Sequence, residues 1–326
     1  MSKQVLLSGI QPTGTPHIGN YLGALKNWVA TQNDYDALYC IVDLHALTID
    51  RDPDELRNNI TNSVKDLLAI GLDPDKAPIF VQSHVSEHAE LAWIFNTLTP
   101  VSELERMTQY KDKSTTQKSS NAGLLTYPLL MAADILLYQA GVVPVGDDQL
   151  QHIELARIVA RKFNNKYKEG FFVEPEGHLT EAKRIMSLSE PSKKMSKSHG
   201  EANYIALTDD PDTVVKKIRK AVTDAGDKKD GGMSEGVQNL FDLLHYCGAD
   251  DVHTKLHELY SEGSLQYSTL KDAAAEAINA MLSPIQEKRS TISDADVKRI
   301  IAEGDATAKE RAHKTLMEVH ELIGLR

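Results

Sequence analysis

Two short segments, far apart in the chain, carry residues suited to holding phosphate. The first, GIQPTGTPHIGNYLGAL at residues 9–25, supplies glycines for tight turns and places His17 and Asn20 at the start of a predicted helix. The second, PSKKMSKSHG at residues 191–200, gathers Lys193, Lys194 and Lys197 around two serines. Lysine is a flexible point charge that suits triphosphate oxygens. Each segment alone also fits an ordinary surface loop, but together they predict a nucleotide site.

A third segment predicts recognition of an apolar ligand that has one polar group. Asp134 lies within GLLTYPLLMAADILLY, an otherwise apolar helical stretch at residues 123–138. A carboxylate in such surroundings is costly unless a donor reaches it. An aromatic ligand with one N–H or O–H at its far end satisfies that need. A helix cap or a buried arginine partner is the structural alternative.

Other motifs are absent or weak. Neither Gly-x-Gly-x-x-Gly nor Gly-Lys-Ser/Thr occurs in the first loop, which disfavours a dehydrogenase or a P-loop kinase. HVSEH at residues 84–88 matches an inverted zinc-protease pattern, with His84 and His88 as ligands and Glu87 as base. No third ligand helix follows, so we interpret it as a strand-to-helix turn and predict no protein-bound metal.

The elements that must position these residues alternate between strand and helix. The apolar runs QVLLSGI, ALYCIVD, APIFVQS and VVPVG predict four strands, separated by helical segments. This order predicts an α/β fold with a doubly wound parallel, Rossmann-like sheet over residues 1–190. Residues 191–326 predict the lysine-rich loop followed by a mostly α-helical domain. The last helix can pack either within that domain or back on the sheet.

Bulk composition excludes several classes of protein. The 326 residues carry a formal net charge of −11, which disfavours broad nonspecific nucleic-acid binding but leaves room for a local basic face. No apolar run approaches the length of a membrane span, and the amino terminus does not predict a signal peptide. Two distant cysteines, Cys40 and Cys247, indicate neither a disulfide framework nor a zinc ribbon. We therefore expect a cytoplasmic protein that does not associate with a membrane.

HIGN at residues 17–20 and KMSKS at residues 194–198 resemble the two signature motifs of class I aminoacyl-tRNA synthetases. Asn20 stands where a second histidine is usual. With CIVDLHALT, VQSHVSEHAEL, ELERMTQYKDKS, YPLLMAADILLY and VPVGDDQLQHIEL, nearly the whole chain resembles the bacterial-type tryptophanyl-tRNA synthetases. The resemblance implies that the chain activates L-tryptophan with ATP, releases pyrophosphate and transfers tryptophan to tRNA(Trp). It also implies Mg²⁺ bound with ATP, anticodon recognition by the helical domain, and a homodimer.

The resemblance also implies roles for individual residues. The residues implied in catalysis are His17, Lys113, Lys194 and Lys197. Those implied in ATP binding are Gln11, Pro12, Thr13, Gly19, Asn20, Gly146, Asp147, Asp148, Ile185, Lys194, Met195, Ser196, Lys197 and Ser198. Those implied in tryptophan binding are Leu7, Gln11, His45, Tyr127, Met131, Asp134, Val143, Val145 and Gln149, with Asp134 accepting the indole N–H. Leu7 replaces a usual aromatic at the pocket wall, and Asp147 replaces a usual glutamate near the ribose.

Three alternative functions remain open from the sequence. Tyrosyl-tRNA synthetases share the fold, the first motif and a pocket carboxylate. An amino-acid-independent nucleotidyltransferase shares the first motif and the sheet, but needs neither KMSKS nor a large helical domain. A synthetase-like RNA-binding or regulatory protein would bind tRNA without forming an adenylate.

Overall fold

The computed structural model describes residues 3–111, 121–179, 185–223 and 232–326. Their contacts group the chain into two units. Unit 1 comprises Met1–Gly14, Ala30–Thr180 and Ser293–Arg326, and unit 2 comprises Thr15–Val29 and Glu181–Ile292. The domain boundary predicted after residue 190 stays a prediction. The two units are defined by contacts between residues, which do not show where one functional domain ends and the next begins.

Unit 1 contains a sheet in which every described strand pairing is parallel. Its strand order is β3-β2-β1-β4-β5. The chain therefore starts at the central strand, builds outward to one side, and returns to build the other side, which is the doubly wound arrangement. The strands are β1 Val5–Ile10, β2 Asp36–Ile41, β3 Ile79–Val81, β4 Val142–Val145 and β5 Glu176–Leu179.

The predicted α/β class is confirmed, but the sequence predicts only four of the five described strands. β1 to β4 are short apolar runs, and β2 is buried along nearly its whole length. β5 reads Glu-Gly-His-Leu and lies at the edge of the sheet, paired only with β4. Glu176 and His178, which share one face of the strand, are exposed, so no apolar run marks β5.

Helices connect the strands and make up most of unit 2. In chain order the described helices are α1 Ile18–Asn20, α2 Lys26–Thr31, α3 Asp43–Ala46, α4 Pro53–Ala69, α5 Glu87–Leu98, α6 Val101–Leu104, α7 Ala122–Leu137, α8 Leu150–Lys166, α9 Pro211–Lys220, α10 Glu235–Tyr246, α11 Asp250–Ser261, α12 Tyr267–Thr291 and α13 Asp294–Ile323. One π-helical turn, Tyr21–Leu25, joins α1 to α2.

The ends of α4 show how local sequence sets the element boundaries. Asp52 accepts hydrogen bonds from the backbone N–H groups of Asp54 and Glu55, each at 2.9 Å. Pro53 occupies the first helical turn, where its missing N–H costs nothing. Gly71, with φ of 113°, ends the segment in a conformation that other residues adopt with strain. Both boundaries are therefore set by residues at the two ends of the segment itself.

The last helix, α13, belongs to unit 1 and packs on the sheet. Asp305 accepts a hydrogen bond from the Val81 N–H at 3.0 Å, and Arg311 donates to both carboxylate oxygens of Asp36 at 2.8 and 3.0 Å. A side chain at Gly304 would place its Cβ 2.0 Å from the carbonyl oxygen of Ile79. Only glycine therefore permits this approach between helix and strand.

Unit 2 is built from α9 to α12 together with the α1–α2 segment. Its core side chains Val237, Phe241, Leu270 and Ile278 are essentially inaccessible to solvent. Asp210 caps α9 by accepting from the Thr213 N–H at 2.9 Å. The predicted helical character is confirmed. None of the described helices in either unit combines the length and apolarity required to cross a membrane.

Candidate active site

The first predicted phosphate-binding segment forms a side-chain cap at the start of α1. The Asn20 N–H donates to Nδ1 of His17 at 3.2 Å, and the His17 N–H donates to Oδ1 of Asn20 at 3.1 Å. Two amides at the helix start are thus satisfied reciprocally. Since Nδ1 of His17 accepts, the neutral ring carries its proton on Nε2, which is available as a donor.

His17 is held neutral by its surroundings. Burial of the ring, followed by the positive charges of Lys197 and Lys194, lowers the pKa of His17 to about 4. At pH 7 the ring therefore acts as a hydrogen-bond donor without a charge of its own. The same shift shows that the two signature segments are electrostatic neighbours within unit 2.

Backbone hydrogen bonds join the first signature segment to the chain just after the second, and one close approach reaches the second segment itself. The Ile18 N–H donates to the carbonyl oxygen of Ile205 at 2.9 Å, and the Leu207 N–H donates to that of Pro16 at 2.9 Å. A Cβ on Gly19 would lie 3.5 Å from the Cβ of Met195. The start of α1 therefore packs directly on the KMSKS segment.

The KMSKS segment, residues 194–198, is anchored by the buried Met195 and keeps its lysines toward solvent. Met195 is 2% exposed, and its N–H donates to the carbonyl oxygen of Ile185 at 3.0 Å. Ser196 Oγ accepts from the Ser198 N–H at 3.3 Å, which closes a short turn. Lys194 is exposed and Lys197 half-buried. We call His17, Gly19, Asn20 and residues 194–198 the basic cluster.

Two asparagines that the sequence did not single out hold this segment in place. Asn203 accepts from the Ser187 hydroxyl at 2.9 Å and donates to the carbonyl oxygen of Gly200 at 3.2 Å. Asn239 both accepts from the N–H and donates to the carbonyl oxygen of Met186, each at 3.1 Å. Their side-chain amides replace the backbone pairing that a regular strand would supply.

Unit 1 contains the second cluster, centred on the buried carboxylate of Asp134 in α7. Its Oδ1 accepts from Nε2 of Gln82 at 2.7 Å and from Nδ1 of His88 at 2.6 Å. Its Oδ2 accepts from Nε2 of His45 at 2.8 Å. We call Asp134, His45, Gln82 and His88 the carboxylate cluster. Three of the roughly four acceptor positions on the carboxylate are occupied within the cluster.

The surroundings keep Asp134 ionised. Burial pushes its pKa upward, but hydrogen bonds from His45 and His88 hold the pKa well below its usual range. An ionised carboxylate accepts hydrogen bonds and donates none. The remaining acceptor position on Oδ2 can therefore take one further N–H or O–H donor.

Several predicted tryptophan-binding residues surround the same region of unit 1. The rings of Tyr127 and His45 meet edge-to-face, with centroids 6.1 Å apart. The Tyr127 hydroxyl lies 2.9 Å from Gln109 Oε1 and 2.9 Å from His152 Nε2. Burial, and then the charge of Asp148, raise the pKa of Tyr127 to about 12, so its hydroxyl stays protonated. Leu7, Val143 and Val145 are buried, and Met131 is half-buried.

Other predicted ligands follow the carboxyl ends of β1 and β4. Gly146 leads from β4 into a short 3-10 turn, Asp147–Gln149, in which Asp147 and Asp148 are exposed. Asp148 Oδ2 accepts from Gln149 Nε2 at 2.7 Å. After β1, Pro12 is buried, whereas Gln11 and Thr13 are exposed. Lys113, predicted to contact phosphate, lies outside the described residues.

HVSEH does not bring its two histidines together. His84 lies in a 3-10 turn after β3 and contacts Asp305 at 2.5 Å, whereas His88 lies in α5 and contacts Asp134. Across the described ranges, no group of three or more His, Cys, Asp or Glu side chains is arranged to hold a metal ion.

Comparison with known proteins identifies the family to which the chain belongs. The family model for class I tRNA synthetases (W and Y) matches residues 2–283. A tryptophan–tRNA ligase of Caldanaerobacter subterraneus subsp. tengcongensis is 47% identical over 323 residues, covering 98% of each chain. The chain belongs to the class I tryptophanyl-tRNA synthetases. The family predicted from HIGN and KMSKS is confirmed.

Solved structures of this tryptophanyl-tRNA synthetase family share the fold along nearly the full length. The tryptophanyl-tRNA synthetase of Mycoplasma pneumoniae is 37% identical, with a TM-score of 0.87, covering 99% of this chain and 98% of that chain. The Campylobacter jejuni enzyme, solved in complex with ADP and tryptophan, is 35% identical, with a TM-score of 0.88, covering 98% of this chain and 99% of that chain.

Proposed function

We propose that this chain activates L-tryptophan with ATP and then transfers the tryptophanyl group to tRNA(Trp). The observation that carries the proposal is the basic cluster, in which a neutral His17 donor and two lysines meet at a helix start. Near-full-length similarity to a tryptophan–tRNA ligase supports the choice of amino acid. The proposal extends to the individual ligands predicted from sequence.

Activation is a displacement at the α-phosphate of ATP. A carboxylate oxygen of tryptophan forms the new bond to phosphorus, the bond to the bridging oxygen breaks, and pyrophosphate leaves. The carboxylate is already ionised, so no protein base is required. His17 Nε2–H, Lys194 and Lys197 stabilise charge as it moves onto pyrophosphate, a form of catalysis in which one well-placed donor contributes about 3–4 kcal/mol.

Transfer follows from the same bound adenylate. A hydroxyl of the 3′-terminal adenosine of tRNA attacks the tryptophanyl carbonyl carbon, the bond from that carbon to the phosphate oxygen breaks, and AMP leaves with the hydroxyl proton. No covalent enzyme intermediate is needed, so the main rate acceleration comes from holding the two reactants in alignment. The helices of unit 2 are the proposed site of anticodon recognition.

The carboxylate cluster supplies selectivity for the amino acid. The free acceptor position on Asp134 Oδ2 takes the indole N–H, while Tyr127, Met131 and Val143 line the ring. Phenylalanine has no donor for Asp134, and sites of this type reject such analogues by about 10⁴–10⁵. Gln149 and Gln11 hold the amino and carboxylate groups of the substrate, in that order.

Mg²⁺ is the proposed cofactor, and it neutralises part of the triphosphate charge when it is bound. Because the described side chains form no ready-made metal cage, we propose that it enters with ATP and is held mainly by phosphate oxygens. Lys194 and Lys197 then neutralise the phosphate charge that remains.

We also propose a cytoplasmic homodimer. Trp93 on α5 is 71% exposed and Val101 at the start of α6 is 58% exposed, and these are apolar side chains that a second copy of this chain would bury. Trp93→Glu should shift the protein to monomers in light scattering coupled to size-exclusion chromatography. An unchanged mass would place the dimer contact elsewhere.

Pyrophosphate exchange with a panel of amino acids tests the central proposal. We expect exchange with tryptophan and at most traces with tyrosine and phenylalanine. Exchange with tyrosine but not with tryptophan would instead support the tyrosyl alternative. Exchange without any amino acid would support a nucleotidyltransferase, and tight tRNA binding without exchange a non-catalytic RNA-binding protein.

A further inference from the structure

The residues behind Asp134 form a hydrogen-bonded chain that none of the predicted roles uses. His88 is fully buried, and its two ring nitrogens contact different partners: Nδ1 lies 2.6 Å from Asp134 Oδ1, and Nε2 lies 2.8 Å from the Tyr138 hydroxyl. Tyr138 is itself 4% exposed, and its ring packs edge-on against Phe80. The chain Tyr138–His88–Asp134 therefore lies wholly in the interior of unit 1.

The direction of each hydrogen bond in this chain follows from the protonation states. Burial, followed by the negative charge around it, raises the pKa of Tyr138 far above its usual value, so the hydroxyl keeps its proton. Ionised Asp134 can only accept, so Nδ1 of His88 carries a proton and donates to it. The neutral ring then leaves Nε2 as its acceptor nitrogen, and the Tyr138 hydroxyl donates to Nε2.

Gln82 fixes the same oxygen from another side. Its Oε1 accepts from the Leu44 N–H at 3.1 Å, which orients the amide so that Nε2 donates to Asp134 Oδ1. With Gln82 and His88 both on Oδ1, only Oδ2 has an acceptor position left. The arrangement turns a symmetric carboxylate into one with a single functional oxygen.

We propose that His88, oriented by Tyr138, is a positioning residue for amino-acid selection: it holds Asp134 so that one oxygen faces the side-chain donor of the substrate. This inference rests on the proposed role of Asp134 in binding the indole N–H. It assigns no contact between His88 and substrate. Its consequence is that tryptophan selectivity depends on two buried residues that act only through Asp134.

The pH dependence of this cluster follows from the balance around Asp134. Removing the His88 donor leaves fewer hydrogen bonds to oppose the effect of burial, so the pKa of Asp134 rises, and more of its protonated form appears as pH falls. A protonated Asp134 loses part of its acceptor capacity. The other titratable groups that face Asp134 or its partners are His45, Tyr138, Cys40, Asp43, Glu87 and Asp305.

Three variants and a matched control test the proposal by tryptophan-dependent pyrophosphate exchange. His88→Leu should raise the KM for tryptophan about 10- to 100-fold, the range for losing a hydrogen bond to a charged group. The KM for ATP should stay within about twofold. His88→Asn, which keeps an N–H near the Nδ1 position, should remain within about fivefold of the wild type.

The second set of measurements separates positioning from a structural role. Tyr138→Phe should raise the KM for tryptophan about 2- to 10-fold, as expected for a neutral hydrogen bond. In His88→Leu the preference for tryptophan over phenylalanine should fall, and the KM for tryptophan should rise as pH drops from 8 to 5.5. The control, His84→Leu, removes a nearby exposed histidine that contacts Asp305 and should change none of these values.

Two results would overturn the inference while leaving the proposed function intact. One is that His88→Leu raises the KM values of tryptophan and ATP equally, with unchanged selectivity. The other is that Asp134→Ala weakens tryptophan binding whereas no His88 or Tyr138 variant does. If the wild type shows no tryptophan-dependent exchange, the proposed function fails first and takes this inference with it.

Discussion

The basic and carboxylate clusters each hold a titratable side chain in one charge state, and the two charge states differ. In the basic cluster, burial and then the positive charges of Lys197 and Lys194 keep His17 neutral at the start of α1. In the carboxylate cluster, His45 and His88 keep Asp134 negative in a buried position. The first group lies where lysines reach solvent, and the second is enclosed by the core of unit 1. The difference fits their proposed ligands: a hydrated polyanion needs mobile charge, whereas one ring N–H needs a fixed acceptor.

The largest effect is expected for Asp134→Ala. The change removes the only proposed indole acceptor and leaves donors of His45, Gln82 and His88 unpaired in the interior. We expect kcat/KM for tryptophan to fall about 10³-fold or more, while the KM for ATP changes less than about threefold. Steady-state pyrophosphate exchange measures both. An equal loss for the two substrates would contradict separate roles for the two clusters.

Lys197→Ala tests the opposite cluster. A lysine that acts on developing charge contributes mainly in the transition state, so the adenylation rate should fall about 10²- to 10³-fold with little change in KM. Rapid-quench measurement of adenylate formation gives the rate of the chemical step. Lys193→Ala is the matched control, because Lys193 is an exposed neighbour that pairs with Glu190 at 2.5 Å. A defect in ATP binding alone would refute charge stabilisation by Lys197.

His17 predicts a pH dependence of folding stability. Its pKa is about 4 in the folded protein against 6.5 ordinarily, so between these values the unfolded chain binds more protons. The stabilisation is complete above pH 6.5 and is lost as pH falls toward 4, by at most about 3 kcal/mol. Urea unfolding of the wild type and of His17→Asn, which keeps a side-chain cap without titrating, should differ in slope over this range. Parallel slopes would assign the pH dependence to other groups.

Features that depend on residues close together in the sequence could be predicted. Asp52 and Asp210 were recognisable as helix caps because each precedes a proline at the first helical position. Asp134 was recognisable because one charge interrupts an apolar helix. The partners of Asp134 were not, since His88 and Gln82 lie 46 and 52 residues away and meet it only after the sheet forms. The motif containing His88 even suggested a metal pair with His84, a grouping that the fold separates.

The same limit applies to the basic cluster. KMSKS is local and was recognised, but the amide of Asn239 reaches Met186 across 53 residues. No local pattern marks such a contact. Glu176 and His178 of β5 give no apolar period either, because the face of the strand that carries them is exposed to solvent.

The smallest effect is expected for Asp147→Glu, which restores the residue usual at this position in the family. Asp147 is exposed, in the turn that follows β4, and the change adds one methylene without altering charge. If it contacts ribose through a flexible side chain, the KM for ATP should change by no more than about twofold. The KM values for ATP and for 2′-deoxy-ATP, measured for both proteins, show how much the contact to the ribose 2′-hydroxyl contributes. A tenfold change in KM for ATP but not for 2′-deoxy-ATP would contradict this expectation. It would show that the position of the carboxylate matters as much at exposed residue 147 as at the buried Asp134.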